Sequence, residues 1–486
     1  MSDVRLGTAT GRWVLAASVL GSAVAALDAT VVNVALPAIR RDLGGGLTGL
    51  QWIITGYLLT LAAFILLGGS LGDRYGRRRV FVIGVVWFAL SSLLCGLAPN
   101  VGVLTAARAL QGIGGALLTP GSLAIIEATF HPDDRGRAIG MWSGLGGVAT
   151  AVGPPLGGWL IASFSWRLIF LLNLPLGLIT ILVAVRHVPE SKDETMAPGI
   201  DVAGALLGVM GLAATTYALI EARNANVRSR VVLAAVVGVA ALVVFVLNEA
   251  RSPHPMLPLD IFRSRLFTAT NVVTFVLYGA LGGTFFIFVV QLQTSLGYSP
   301  AAAGAATLPI TALMFVLSSR TGALAQRIGP RIPMTVGPLV TGAGLLLLSR
   351  VGPGTQYLTG ILPGVVTFGL GLATTVAPLT ATVLAAADVH HAGIASGVNN
   401  AVARVGGLLT VAVLPVVAGL DRARGPIQFS HGFRTATEIT AAMAMAGGVL
   451  AWLTIRRESP ISDLLSSEQH CAISGPPLRP SGYEAA

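Results

Sequence analysis

Asp28 lies inside an apolar run from Trp13 to Leu36, and Arg108 inside another from Val101 to Glu127. A charge at the centre of a membrane helix costs about 2.5–3.5 kcal/mol on insertion scales, so each needs something to offset it. Asp28 can be protonated, face a wet cavity, or pair with a cation such as Arg108. A carboxylate switched between such settings takes up and releases a proton, so Asp28 suits proton coupling or substrate binding. A static polar contact is the other reading. Arg108 is charged at any relevant pH. It can tune a proton-carrying carboxylate or pack against carbonyls. Gln111 follows it by three residues and shares its helix face. Arg404, beside Asn399 and Asn400, is a further charge within a span. Helix-packing or gate hydrogen bonds fit it better than proton transfer.

Other chemistries find no pattern. No Walker loop is present, which leaves ATP hydrolysis without support. No nucleophile–base constellation marks an enzyme. His390 and His391 are adjacent, so they do not share a helix face, and no Cys or acidic partner has ligand spacing; neither a metal nor another cofactor is expected. Cys95 sits in an apolar run and Cys471 in a polar tail, a poor disulfide pair. Trp52, Tyr57, Trp142, Phe275, Tyr278, Phe285, Phe286 and Phe288 are candidates for an aromatic cavity, although each suits lipid-facing or packing positions equally well. Tyr57 and Trp52 are the two favoured for the cavity. Trp52, next to Gln51, also suits an interfacial anchor.

The elements that hold these residues follow from composition. Of 486 residues, 54% are hydrophobic and only 11% charged, and the net charge is +10. With a mean hydropathy of +0.78, this excludes a soluble enzyme, a disordered scaffold and a secreted disulfide domain, and makes the lipid bilayer the main solvent, so the basic charge is expected to sort by membrane side rather than to bind nucleic acid. Apolar runs of spanning length recur at 13–36, 49–71, 79–99, 101–127, 137–162, 167–187, 201–220, 230–249, 267–293, 301–319, 332–349, 357–385, 393–419 and 434–455. The first continues past Asp28 without a small-residue cleavage site, so it reads as a retained helix rather than a leader. Fourteen crossings place both termini on one face. The loops of that face carry 18 Arg and Lys residues against 10 on the other, which predicts cytoplasmic termini.

The chain also repeats. Gly69, Leu71, Arg74, Gly76 and Arg78 recur as Gly322, Leu324, Arg327, Gly329 and Arg331, displaced by 253. The same displacement carries Gly140, Ser143, Gly144 and Gly153 onto Gly393, Ser396, Gly397 and Gly406. A duplicated six-helix unit follows, with a parallel repeat and a site at the interface of the halves. The expected divisions are an N-terminal six-helix bundle at 1–187, an inserted helix pair at 188–265, a C-terminal six-helix bundle at 266–457 and a cytoplasmic polar tail at 458–486.

The loop Gly69-Ser70-Leu71-Gly72-Asp73-Arg74-Tyr75-Gly76-Arg77-Arg78-Arg79 carries enough arginine to be a positive-inside anchor, and its glycines allow close helix approach. Its full pattern resembles the signature loop of the major facilitator superfamily. Leu27-Asp28-Ala29-Thr30-Val31-Val32-Asn33 through Pro37 resembles the first-helix signature of the fourteen-helix drug:proton antiporter branch. Arg108-Ala109-Leu110-Gln111-Gly112 is similar to the fourth-helix motif linked to proton coupling. Gly144 through Gly153-Pro154-Pro155-Leu156-Gly157-Gly158 is similar to the fifth-helix exporter motif. Trp166-Arg167 and Asn173-Leu174-Pro175-Leu176-Gly177 are also typical of the branch.

The resemblance implies proton coupling at Asp28 and Arg108, and a substrate cavity at Asp28, Asn33, Trp52, Tyr57 and Gln111. It implies a conformational latch at Gly69, Gly72, Asp73, Arg74, Gly76 and Arg77. Glu127 should pair with the loop arginines, with proton relay as a second reading. In the second copy Gln326 replaces Asp73, so latching there is not expected. Pro154 and Pro155 should bend the fifth helix. The implied protein is a monomeric exporter of a hydrophobic or amphiphilic drug-like molecule, powered by the proton gradient. An uptake symporter on the same fold and a non-transporting receptor or structural protein stay open on sequence alone.

Overall fold

The computed structural model describes residues 4–192, 201–253, 255–386, 392–423 and 425–455. The tail expected at 458–486, with Cys471, and the residues Asp388, His390 and His391 lie outside that set. Fourteen helices are long and apolar enough to cross a membrane. They are α1 (Ala9–Leu43), α2 (Gly46–Tyr75), α3 (Arg77–Gly96), α4 (Val101–Thr129), α5 (Asp133–Ser163), α6 (Leu168–His187) and α7 (Val202–Ile220). The series continues with α8 (Arg228–Arg251), α9 (Arg265–Thr294), α10 (Pro300–Ser318), α11 (Arg331–Leu348), α12 (Tyr357–Ala385), α13 (Ile394–Val417) and α14 (Pro426–Thr454). All fourteen expected spans are present. Several run past the apolar stretch because polar caps extend them: Thr8 accepts from the Gly11 amide ahead of α1, and Asn100 from Val103 ahead of α4.

Each six-helix group is built on the same neighbours. In the first, α2 and α3 pack on α4, and α1 packs on α5 and α6. In the second, α10 and α11 pack on α12, and α9 packs on α13 and α14. The inserted helices pair with each other, and α7 lies along α2 and α13. The groups meet at two seams, α2 with α13 and α5 with α10.

Both seams are closed at the face distal to the chain ends. Across the first, Gln51 Nε2 donates to the carbonyls of Val411 at 2.9 Å and Ala412 at 3.1 Å; between the seams, Gln293 Nε2 of α9 donates to the Val34 carbonyl of α1 at 2.9 Å. Gly158 sits so close to α10 that an added Cβ would lie 2.6 Å from Ala301 Cα. Toward the terminal face the α2–α13 seam continues, with Leu66 against Gly397. There α5 is uncovered instead. A Cβ added at Gly140, Gly144, Gly146 or Gly147 meets nothing within 4 Å, and Met141 and Leu145 are exposed. The arrangement is sealed distally and parted on the terminal side.

A branched side chain at residue 158 should wedge the distal seam. Overpacking costs about 1–3 kcal/mol, enough to shift a two-state balance by about fivefold or more. Leu50 is buried beside this seam. In a Cys471→Ser background, a Leu50→Cys reporter should therefore react at least about fivefold faster with an impermeant maleimide when Gly158→Val is added. Gly146→Ala, which adds a carbon into open space, should leave the rate unchanged.

Candidate functional site

The first bundle encloses a polar centre in an otherwise apolar interior. Asp28 from α1 and Arg108 from α4 are both buried, with Arg108 Nη1 donating to Asp28 Oδ2 at 2.5 Å. Gln111 Nε2 donates to Asp28 Oδ1 at 2.8 Å, and Asn173 Nδ2 from α6 to the same oxygen at 3.1 Å. The two amides also reach Ser92 Oγ on α3, at 2.7 and 3.2 Å. Arg108 is held further by Gln111 Oε1 and by the Ile53 carbonyl of α2. Its guanidinium lies 4.2 Å from the centroid of the Tyr57 ring, a cation–π contact. Cys95 Sγ lies 3.7 Å from Gln111 Oε1. Every partner of the Asp28 oxygens is an N–H donor, so the arrangement is built for the ionised carboxylate.

Helix packing explains how these groups reach one another. Arg108 and Gln111 lie three apart on α4, and Ser92 and Cys95 three apart on α3, so each pair shares a face. Gly112 and Gly114 let α4 sink between its neighbours. A Cβ at Gly112 would collide with Tyr57 O and Thr60 Oγ1 on α2, and one at Gly114 would lie 2.7 Å from the Phe88 amide on α3. The pair is stabilised as a unit. Removing one member of a buried ion pair costs about 3–5 kcal/mol because the other is left uncompensated.

Of the cavity residues read from the sequence, Asp28, Gln111 and Tyr57 meet at this centre. Asn33 does not join it; its amide returns to the Ala29 carbonyl at 3.1 Å. Trp52 faces Tyr217 of the inserted pair, with ring centroids 6.2 Å apart, and is absent from the centre. Ser92 carried no sequence signal beyond its helical spacing to Cys95. Asn173 stood in a recognised motif, but without an assigned role.

The loop after α2 is engaged only with its own half. Arg77 Nε donates to Asp73 Oδ1 at 2.7 Å, and Arg74 lies over Tyr75. Arg78 and Arg79 each approach Glu190 at 3.6 Å, and Glu190 accepts from the Arg78 amide. Gly76 adopts φ 111°, and an added Cβ would lie 2.7 Å from the Glu190 carboxyl. This position requires glycine on both counts. Glu127 has Arg77, Arg135 and Asp73 as electrostatic neighbours, but no direct ion pair to a described residue. The close approach expected of Gly69 and Gly72 falls instead on Gly68, which abuts the Ala116 carbonyl; Gly69 has nothing nearer than Pro120 at 3.7 Å.

On α5, Gly153 and Gly157 abut Thr30 and Val31 of α1, whereas Gly144 opens onto the terminal-side gap. The helix runs unbroken through Pro154 and Pro155, and the Pro154 carbonyl is pressed against Gly304. In the second bundle, Asn399 donates to Asn271 and Thr274 of α9, a helix-packing contact. Arg404 departs from expectation, because it makes no hydrogen bond or ion pair with a described residue.

Residues 18–411 match the Major Facilitator Superfamily. The chain is 36% identical over 466 residues to the puromycin resistance protein pur8 of Streptomyces alboniger, covering 93% of this chain and 92% of that one. It is 36% identical over 411 residues to a tetracenomycin C resistance and export protein of Streptomyces glaucescens, covering 83% and 75%. Its fold is similar to that of a crystallised POT family transporter, with a TM-score of 0.69 at 13% identity, covering 91% of this chain and 96% of that one. A fourteen-span helical chain that carries this signature loop over this packing, and is so closely matched along its length, belongs to the major facilitator superfamily of membrane transporters.

Proposed function

We propose that this transporter exports a hydrophobic or amphiphilic drug-like molecule in exchange for protons by alternating access. The observation that carries the coupling half of this reading is the buried Asp28–Arg108 pair. The export half is supported by the resistance and export relatives and by the motif through Gly158. The proposed orientation puts both chain ends in the cytoplasm of a cell-membrane monomer. The terminal-side gap then receives cargo, and the distal seam opens to release it. No cofactor enters the cycle.

Asp28 is sealed in the arrangement described, with no exposed side-chain surface. Distal opening would admit a proton to it. Protonation at Oδ2 would remove the acceptor that Arg108 Nη1 uses, leaving Arg108 with Gln111 Oε1 and the Ile53 carbonyl. The tie between α1 and α4 would loosen just where α1 packs on Gly153 and Gly157 of α5. Return to the terminal-open form would expel the proton and rebuild the pair. A proton moving inward yields about 2.3 kcal/mol per 100 mV. Each pH unit of gradient adds about 1.4 kcal/mol. One proton therefore supports roughly a 100- to 1,000-fold gradient of a neutral cargo.

Cells making the wild type should export members of a lipophilic dye and antibiotic panel, and a protonophore should stop that export. Asp28→Asn, at equal surface expression, should reduce export to the level of protonophore-treated cells. Unchanged, protonophore-sensitive export by the variant would remove Asp28 from the coupling step.

Stability separates the ion pair from the transport role. Asp28→Asn leaves Arg108 charged and unpaired, and should lower the unfolding free energy by about 3–5 kcal/mol. Adding Arg108→Gln should recover more than half of that loss in a thermal-unfolding comparison. Proton-coupled export should stay absent in the double variant.

A further inference from the structure

With Asp28 taken up by Arg108, Gln111 and Asn173, the cationic Arg404 is left without a hydrogen-bond or ion-pair partner among the described residues, in the helix that forms a seam between the bundles. Arg404 lies near the midpoint of α13 and is partly buried. One turn earlier on the same face, Ala401 packs on the cluster holding Tyr57 of α2, and Val405 packs against Leu59, Ala62 and Ala63. Gly406 abuts the Phe275 carbonyl of α9. Arg404 is thus on the part of α13 that packs along α2, within electrostatic range of Tyr57 and, on α9, of Tyr278. Neither phenol hydroxyl hydrogen-bonds a described residue.

No acid among the described residues pairs with this charge. Residues 266–457 contain three carboxylates, Asp388, Asp421 and Glu438. Asp421 is paired with Arg223 at 3.3 Å and Glu438 with Arg434 at 2.8 Å. Asp388 precedes α13, and the stretch of that helix up to Arg404 alone rises about 15 Å. An intramembrane cation with no internal counter-charge marks a ligand pathway. The exit side repeats the pattern. A distal cleft of about 590 Å³ is lined by Arg40 and Arg41, with Pro37, Gln293 and Tyr298 among its other walls and no acidic residue.

We propose that Arg404, with the hydroxyls of Tyr57 and Tyr278, receives an acidic group of the cargo, so that this exporter selects lipophilic anions over lipophilic cations. The inference rests on the export reading above and names its substrate class. Coupling and recognition are then divided: Asp28 carries the proton, and Arg404 carries the charge that cargo must match. Exchange of one anion outward for one proton inward moves two elementary charges in the direction the membrane potential favours.

The test uses the purified full chain in lipid nanodiscs and a matched probe pair, 1-pyrenebutyrate and its trimethylammonium analogue. Saturable binding of the anion should be at least about tenfold tighter than that of the cation. Arg404→Gln should erase that preference, and Arg404→Lys should keep most of it. Arg404→Gln should also leave thermal stability unchanged or raised, because it removes an unpaired charge, whereas a structural arginine would lower it. Equal affinity for the two probes, no saturable anion binding, or anion binding unaltered in Arg404→Gln would each overturn the proposal. Flux in cells separates it from the export reading. Charge-selective binding without protonophore-sensitive efflux would sink export and leave the site standing. Efflux of cations that ignores Arg404→Gln would sink the site and leave export standing.

Discussion

The structure depends on one buried pair of opposite charges. Asp28 and Arg108 are buried away from bulk solvent, and neither is tolerable there alone. Their requirement for each other ties α1 to α4. The amides of Gln111 and Asn173 add α6, Ser92 adds α3, and the Ile53 carbonyl and Tyr57 ring add α2. Five of the first six helices are thus registered against one another by a single polar centre. Hydrophobic packing alone could not do this, since within lipid one apolar helix face is much like another.

The remaining helix of that bundle, α5, stands outside the polar centre. It touches α10 through Gly158 in its distal part, and α1 along its length, through Gly153 and Gly157 distally and through Trp142, whose Nε1 donates to Ser22 at 2.8 Å, toward the terminal face. Its terminal-side half carries glycines that meet nothing. Small residues make both situations workable, since they allow backbone contact where the seam is closed and leave no bulky obstruction where it is open. The loop after α2 fits the same picture. Among the described residues Arg77 pairs with Asp73, and Arg78 and Arg79 approach Glu190 just after the first bundle, so these three make no ion pair with the second bundle.

Much of this was legible in the sequence, for physical reasons. Spanning helices are set by the thickness of the bilayer, so hydropathy located all fourteen. Asp28 and Arg108 were legible because a charge in lipid is expensive wherever it occurs. What could not be read was which polar residues face each other. Ser92 offers no more signal than any small helix residue and yet joins the polar centre, whereas Trp52 faces Tyr217 of the inserted pair, because facing depends on helix rotation. The same holds for the glycines: Gly68 makes the close contact, and its neighbour Gly69 does not. A one-residue shift turns a helix by about 100°, and sequence patterns do not fix rotation to that accuracy.

Arg404 shows the limit most sharply. Read in sequence, beside two asparagines, it looks like one more packing hydrogen bond. The structure gives that role to Asn399, which meets α9, and leaves Arg404 unpaired among the described residues. Arg108 and Arg404 therefore differ in kind. Arg108 is neutralised inside one bundle, where a change of protonation is felt by the helices around it. Arg404 stands on the helix that forms a seam between the bundles, and no carboxylate among the described residues pairs with it. A charge placed there is felt by whatever occupies the seam, and its field changes as the seam opens. In the proposed cycle, a proton site inside one bundle and a cation at the seam would each respond to the same rocking motion without competing for the same counter-ion.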